Sequence, residues 1–289
     1  MSDTTEPVLA AWETAEIERA NASGRPAVVF VHGLWLLSTS WQPWRDVFEG
    51  AGYATIAPGW PDDPETVAEA KENPEVFAHK MVQQVTDHYL AAISALDRAP
   101  AVIGHSFGGL IAQKIAGEGA AAVTVSIDNA PFKGVLPLPV SALKSAGPVL
   151  SNPGNRGKAV SLTLEQYKFG WANNLSDAEA EQLWTDTHVA ASGAPLFQAA
   201  FANFNPFGGE TKVDSENPDR GPLLIIAGEK DNTVPLAITQ ASFKIQSKNS
   251  GVTEIAEIPG RGHSLIIDSG WREVADTALA FVEAHLPTD

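Results

Sequence analysis

The 289-residue chain contains no cysteine. That absence excludes disulfides, thiolate metal sites and a cysteine nucleophile. It also fits a reducing compartment, so a cytoplasmic setting is the expectation. Long hydrophobic runs are missing too: no apolar stretch reaches the roughly 20 residues that a spanning helix needs. The opening residues MSDTTEPVLAAWETAEIERA carry acidic side chains and no basic-then-apolar pattern, so no secretory signal is expected there. Positive charge is scarce. With 19 Lys and Arg against 35 Asp and Glu, the formal net charge is −16. Such a surface repels phosphate backbones and anionic lipid headgroups, which makes nucleic acid and membranes poor partners. Internal repeats and low-complexity tracts are absent as well.

What is present is an ordinary globular composition, with 44% apolar and 19% charged residues, enough to bury a core without staples. Ala27–Val31 (AVVFV) is a β-branched run ending at His32-Gly33, the signature of a buried parallel strand. A helical stretch around Trp41–Gly50 follows. Further strands are expected at Tyr53–Ala57, Ala101–Ile103, Ala121–Ile127, Pro222–Ala227 and Thr253–Ile258. Apolar spacing predicts one long helix from Pro74 to about Asp97, a helix at Leu110–Ala116 and a closing helix from about Gly270 to His285. Residues 1–25 allow either two short edge strands or a loose helix. Strands alternating with helices predict an α/β fold with a mainly parallel sheet covered on both faces. The rhythm breaks between residues 132 and 221. There the spacing predicts helices at Ser141–Leu150, Leu164–Ala172 and Asp177–Ala190, with aromatics at Trp171, Trp184, Phe197, Phe201, Phe204 and Phe207. The expectation is a core of residues 1–131 and 222–289, with 132–221 inserted as a helical cap.

Gly104-His105-Ser106-Phe107-Gly108 fits the pattern G-x-S-x-G, weak alone but here set between a predicted strand and a predicted helix. A serine on so sharp a turn is held in strained backbone geometry, and glycines flank it because side chains there would meet neighbouring backbone. The turn also aims a helix N-terminus, with its free N–H groups, at developing negative charge. Two loops strengthen the reading. Gly228-Glu229-Lys230-Asp231 follows the strand PLLIIA, and Gly260-Arg261-Gly262-His263 follows TEIAEI. Three parallel strands therefore deliver Ser106, Asp231 and His263 to one sheet edge, in the chain order Ser, Asp, His.

With these residues the sequence resembles the α/β-hydrolase superfamily, especially its esterase and cofactor-free haloperoxidase-like branch, from about Ala27 to the C-terminus. His32-Gly33-Leu34-Trp35 is similar to the family's HG-x motif. The resemblance implies the α/β-hydrolase fold, with Ser106 as nucleophile, His263 as general base, Asp231 as orienting acid, and Leu34 and Phe107 N–H groups as the oxyanion hole. It implies no metal and no organic cofactor. The expected substrate is a small-to-medium, largely apolar ester, lactone or thioester, with Trp35, Phe132, Trp171 and Trp184 as candidates for contacting it.

Alternatives stand beside each assignment. Asp128, after the strand AAVTVSI, is the rival acid, because some relatives carry the acid on that earlier loop. His32 and His105 are expected to order turns or fill the core. His79, His88, His188 and His285 show no ligand-like spacing. Asp62 and Asp63 are read as a solvated loop near the site. C–C bond hydrolysis, perhydrolysis, cofactor-free oxygenation and slow-turnover ligand sensing all remain compatible with the same residues. Oligomeric state is left open.

Overall fold

The β-branched runs become strands because they can bury both faces at once. A computed structural model describes residues 8–205 and 209–288. The first half contains β1 (Ala27–Val31), β2 (Ala54–Ile56), β3 (Ala101–His105) and β4 (Val123–Ile127), nearly every residue buried. Around them lie α1 (Ala11–Ser23), α2 (Gln42–Gly50), α3 (Val67–Glu72), α4 (Val82–Ser94) and α5 (Phe107–Gly117). The middle of the chain holds α6 (Val140–Leu150), β5 (Ala159–Val160), α7 (Leu164–Gly170), α8 (Asp177–Thr187), β6 (Ala191–Ser192) and α9 (Ala194–Phe201). It returns to the sheet through β7 (Leu223–Gly228), α10 (Leu236–Gln246), β8 (Thr253–Ile258) and α11 (Trp271–His285).

Six strands form one sheet in the order β2-β1-β3-β4-β7-β8, every neighbouring pair parallel. Register aligns the strand ends: Val31 pairs with Gly104, His105 with Ile127, and Gly228 with Ile258. The loops that leave β1, β3, β4, β7 and β8 therefore emerge at the same edge. The sheet also reverses its direction of growth at β1, since β2 lies on one side and β3 on the other. Ligands bind at the carboxyl ends of strands beside such a switch point. One face is packed by α5, all of whose residues are buried. On β1, Phe30 packs against Trp41 and Phe48 with ring centroids 5.1 and 5.5 Å apart. Each such aromatic contributes about 1.5–3 kcal/mol of burial.

Two sequence expectations change, and one open choice closes. Of the two readings left open for residues 1–25, the described part takes the helical one, α1, which lies along the edge strand β2. Its buried Glu16 and Glu13 accept the backbone N–H groups of Ala57 and Gly59, at 3.0 and 3.1 Å. The helix expected from Pro74 to Asp97 is broken. A single 3₁₀ turn spans Pro74–Phe77, His79 has φ 63°, and α4 starts only at Val82. Tertiary contacts override the apolar period here, because Gln198 and Glu210 side chains accept the Val82 and Gln83 N–H groups. The helix expected to reach Ala190 stops at Thr187. The chain then crosses so that Val189 donates to the Trp35 carbonyl at 3.1 Å. The small antiparallel pair β5–β6 was not foreseen, its strands being two residues long. Phe207 lies outside the described residues. No helix among the described residues is long and apolar enough to cross a membrane.

Candidate active site

Ser106 occupies the junction of β3 and α5 with φ 58° and ψ −121°, a strained conformation for a side-chain-bearing residue. The glycines around it are required by close backbone approach. A Cβ on Gly104 would collide with the Gly108 carbonyl, and one on Gly108 with the Val31 carbonyl. The strand-to-helix turn can thus be this sharp only because positions 104 and 108 are bare.

The Ser106 Oγ lies 3.0 Å from His263 Nε2, and His263 Nδ1 lies 2.6 Å from Asp231 Oδ2. Asp231 and His263 side chains are fully buried. The other carboxylate oxygen, Oδ1, accepts the Thr233 and Val234 N–H groups at 2.6 and 2.8 Å, which leaves Oδ2 for the imidazole. The structure thus brings together the three residues that the strand pattern sends to this edge. His263 is packed as well as bonded. Trp171 meets its ring edge-on at 4.6 Å, and His105 lies at 4.7 Å. Burial first, and the neighbouring His263 second, hold His105 well below the ordinary imidazole range. It is therefore neutral and donates Nε2–H to the His263 carbonyl at 2.9 Å.

Asp128, the rival acid, directly follows β4 with φ 39° and accepts the Gly228 N–H at 2.8 Å. Burial, then the charge of Asp231, pushes its carboxyl well above the usual range. The carboxyl that touches the imidazole belongs to Asp231. His105, Asp128 and His263 form the one group of three potential metal ligands found close together among the described residues. His263 already uses both nitrogens and His105 one, so this donor set fits no resident metal.

Leu34 follows β1 in a buried turn, and Phe107 opens α5. A Cβ on Gly33 would stand 2.9 Å from Ser106 Cβ and 3.4 Å from the Phe107 nitrogen, so the two segments touch beside the serine. Among the described residues no protein acceptor takes either the Leu34 or the Phe107 N–H. A cavity of about 100 Å³ opens above Ser106 and Phe107. Its walls are almost wholly apolar and include Trp35, Ala142 and Ala146 of α6, and Leu196 and Ala199 of α9.

The candidate contacts divide. Trp35 lines the cavity, whereas Phe132, Trp171 and Trp184 are not among its lining residues. Phe132 is buried in the core, Trp171 packs on His263, and Trp184 stacks on His188 while donating to the Leu162 carbonyl. The residues missed were aliphatic ones, alanines and leucines alike. Ala142, Ala146 and Leu150 recur at a spacing of four, a face of α6 visible in the sequence but less conspicuous than the aromatics. Of the loop pair, Asp62 is exposed and ion-paired with Lys80, but the Asp63 side chain is only 4% exposed, against the solvated-loop expectation. It is drawn inward by His32 and by the Trp60 N–H. His88 pairs with Glu13, His188 accepts the Leu162 N–H, and His285 packs on Phe281, all away from the serine.

A family model described as the alpha/beta hydrolase family matches residues 28–277. The fold is similar to that of a monoacylglycerol lipase from Paleococcus ferrophilus (21% identity, TM-score 0.63, 90% of this chain and 94% of that one). It is similar also to a putative non-heme bromoperoxidase, BpoC, from Mycobacterium tuberculosis H37Rv (18% identity, TM-score 0.63, covering 90% and 92%). A third similar structure is tomato methylketone synthase I complexed with 2-tridecanone (13% identity, TM-score 0.63, covering 90% and 99%). Identities this low show the fold. Comparison with curated proteins found no match.

Proposed function

Since the chain belongs to the alpha/beta hydrolase family, we propose that it is a serine hydrolase cleaving a small-to-medium, largely apolar carboxylic ester. The observation that carries this reading is the unbroken run Ser106–His263–Asp231, at 3.0 and 2.6 Å, beneath an apolar cavity. Ser106 Oγ attacks the carbonyl carbon as its proton passes to His263 Nε2. Asp231 holds the Nδ1–H and stabilises the imidazolium that forms. The carbonyl oxygen, now carrying the negative charge, accepts the Leu34 and Phe107 N–H groups. Losing one such donor typically costs about 3 kcal/mol of transition-state stabilisation. The tetrahedral adduct collapses, His263 returns the proton to the leaving alcohol, and an acyl-serine remains. Water, deprotonated by His263, then releases the acid.

In this reading residues 132–221 act as a cap, with α6 and α9 walling the acyl or alcohol side of the site. Among the described residues the cavity wall carries no charged side chain, so an ionised substrate would lose its hydration there without a partner. Lactones and thioesters of similar size meet the same chemistry. The lack of cysteine supports a cytoplasmic setting for it. The test is a panel of p-nitrophenyl esters of increasing acyl length. Wild type should release p-nitrophenol and react with a fluorophosphonate, and Ser106→Ala and His263→Ala should each lose turnover by orders of magnitude while staying folded. Near-normal turnover in either variant would overturn the reading.

A further inference from the structure

Beside the site stands a buried acid that the proposed mechanism does not use. Asp63 stands on the loop after β2, and its Oδ2 accepts the Trp60 N–H at 3.2 Å. The same oxygen lies 3.3 Å from His32 Nε2. On the other side of that imidazole, Nδ1 is 2.9 Å from the Gly33 carbonyl oxygen. Trp60 locks the assembly, its indole N–H donating to the His32 carbonyl at 3.1 Å and its ring lying 5.8 Å from the imidazole.

We infer that Asp63 is a positioning residue for the oxyanion hole, holding through His32 the peptide group that joins Gly33 to Leu34. The inference rests on the reading of Leu34 as an oxyanion donor. A carbonyl oxygen can only accept, so the 2.9 Å contact is a hydrogen bond only when His32 Nδ1 carries a proton. The peptide group is planar, so the Gly33 C=O and the Leu34 N–H are opposite ends of one rigid plate. Holding the first aims the second. A hydrogen bond accepted at the carbonyl also polarises the amide and strengthens its N–H as a donor. The plate has little freedom to compensate, because Gly33 already abuts the His105 carbonyl and Ser106.

Asp63 decides which nitrogen of His32 is protonated. A neutral imidazole has one N–H to place, and a proton shared between the Asp63 carboxyl and Nε2 leaves that one on Nδ1. Burial raises the Asp63 carboxyl above the usual carboxylate range, and His32, then Lys80 and the Trp60 N–H, offset that only in part. The other ionisable groups facing this corner already have partners. Tyr89 donates to the Pro58 carbonyl, Glu13 pairs with His88, and Lys80 pairs with Asp62.

Asp63→Asn separates positioning from packing. The amide is nearly isosteric, and the Trp60 N–H selects its oxygen for the Oδ2 place. That oxygen then accepts Nε2–H from a neutral His32, whose Nδ1 lone pair is left facing the Gly33 carbonyl. On the full chain with p-nitrophenyl butyrate, kcat should fall roughly 10- to 100-fold with KM within about threefold. Inhibition by butylboronic acid, whose tetrahedral adduct fills the oxyanion hole, should weaken by a similar factor. Nitrogen NMR should show His32 Nδ1 protonated in wild type and unprotonated in Asp63→Asn. A folded Asn variant with kcat within about twofold of wild type would overturn the proposal. So would a wild-type His32 with a bare Nδ1, a measurement that needs no variant to fold. A wild type that neither cleaves the ester nor reacts with a fluorophosphonate would overturn the serine-hydrolase reading itself. An active wild type beside an unimpaired Asn variant would overturn the Asp63 proposal alone.

Discussion

Asp128 and Asp231 sit side by side, and replacing each by asparagine should have opposite consequences. In Asp231→Asn the amide oxygen takes the place of Oδ1, where the Thr233 and Val234 N–H groups require an acceptor. The NH2 group then faces His263 Nδ1, which must present a lone pair, so the ring proton moves to Nε2. That nitrogen lies 3.0 Å from Ser106 and can no longer take its proton. An acid replaced this way in a Ser-His-Asp site costs about 10⁴ in kcat, or about 5.5 kcal/mol of barrier. In Asp128→Asn the amide oxygen instead keeps the Gly228 N–H, and the NH2 replaces a carboxyl proton that burial and Asp231 already hold in place. A neutral donor is exchanged for a neutral donor, and turnover should stay within about threefold of wild type. Stability should improve at neutral pH. The raised carboxyl binds its proton more tightly folded than unfolded, so wild-type stability falls as pH rises above the ordinary aspartate value, and the amide removes that loss. The assay is kcat for p-nitrophenyl butyrate, paired with urea unfolding at about pH 4 and pH 7. If Asp128→Asn lost turnover as severely as Asp231→Asn, the assignment of the acid would be refuted.

Three further outcomes follow from particular contacts. Ala146→Phe places a ring in the cavity over Ser106, so p-nitrophenyl octanoate turnover should fall at least about tenfold more than acetate turnover; equal losses would show that the chain does not extend along α6. Gly108→Ala drives a methyl group into the Val31 carbonyl, and should either prevent soluble expression or lower kcat by more than about 100-fold; a normal enzyme would contradict the elbow packing. His188 is buried and accepts the Leu162 N–H, and burial lowers its pKa to about 4. The unfolded chain therefore binds the extra proton first as pH falls, and wild type should lose roughly 2 kcal/mol between about pH 7 and pH 5 that His188→Gln does not lose. Parallel unfolding curves for the two proteins would refute it.

The legible parts of the molecule were those written in short-range chemistry. AVVFV and LLIIA announce buried parallel strands because such strands have no solvent face, and GHSFG requires its glycines through backbone collisions now visible at Gly104 and Gly108. The chain order of Ser106, Asp231 and His263 became a place in space only because parallel strands end at a common edge. What escaped depended on tertiary partners. The break before α4 is made by Gln198 and Glu210, more than 100 residues away in sequence. The inward turn of Asp63 is made by His32 and the Trp60 N–H, and no local pattern distinguishes it from the exposed Asp62. The cavity wall was misjudged because aromatics draw attention as ligand contacts. Here Trp171 and Trp184 buttress histidines, while alanines leave the room.

The central claim is that Ser106 is a nucleophile activated by His263. Mass spectrometry of the protein after brief exposure to a fluorophosphonate tests it most directly, read beside ester turnover in the same sample. The account predicts a single adduct on the peptide containing Ser106, loss of turnover in proportion to labelling, and no adduct in Ser106→Ala or His263→Ala. An adduct elsewhere, or full turnover with Ser106 modified, would contradict it.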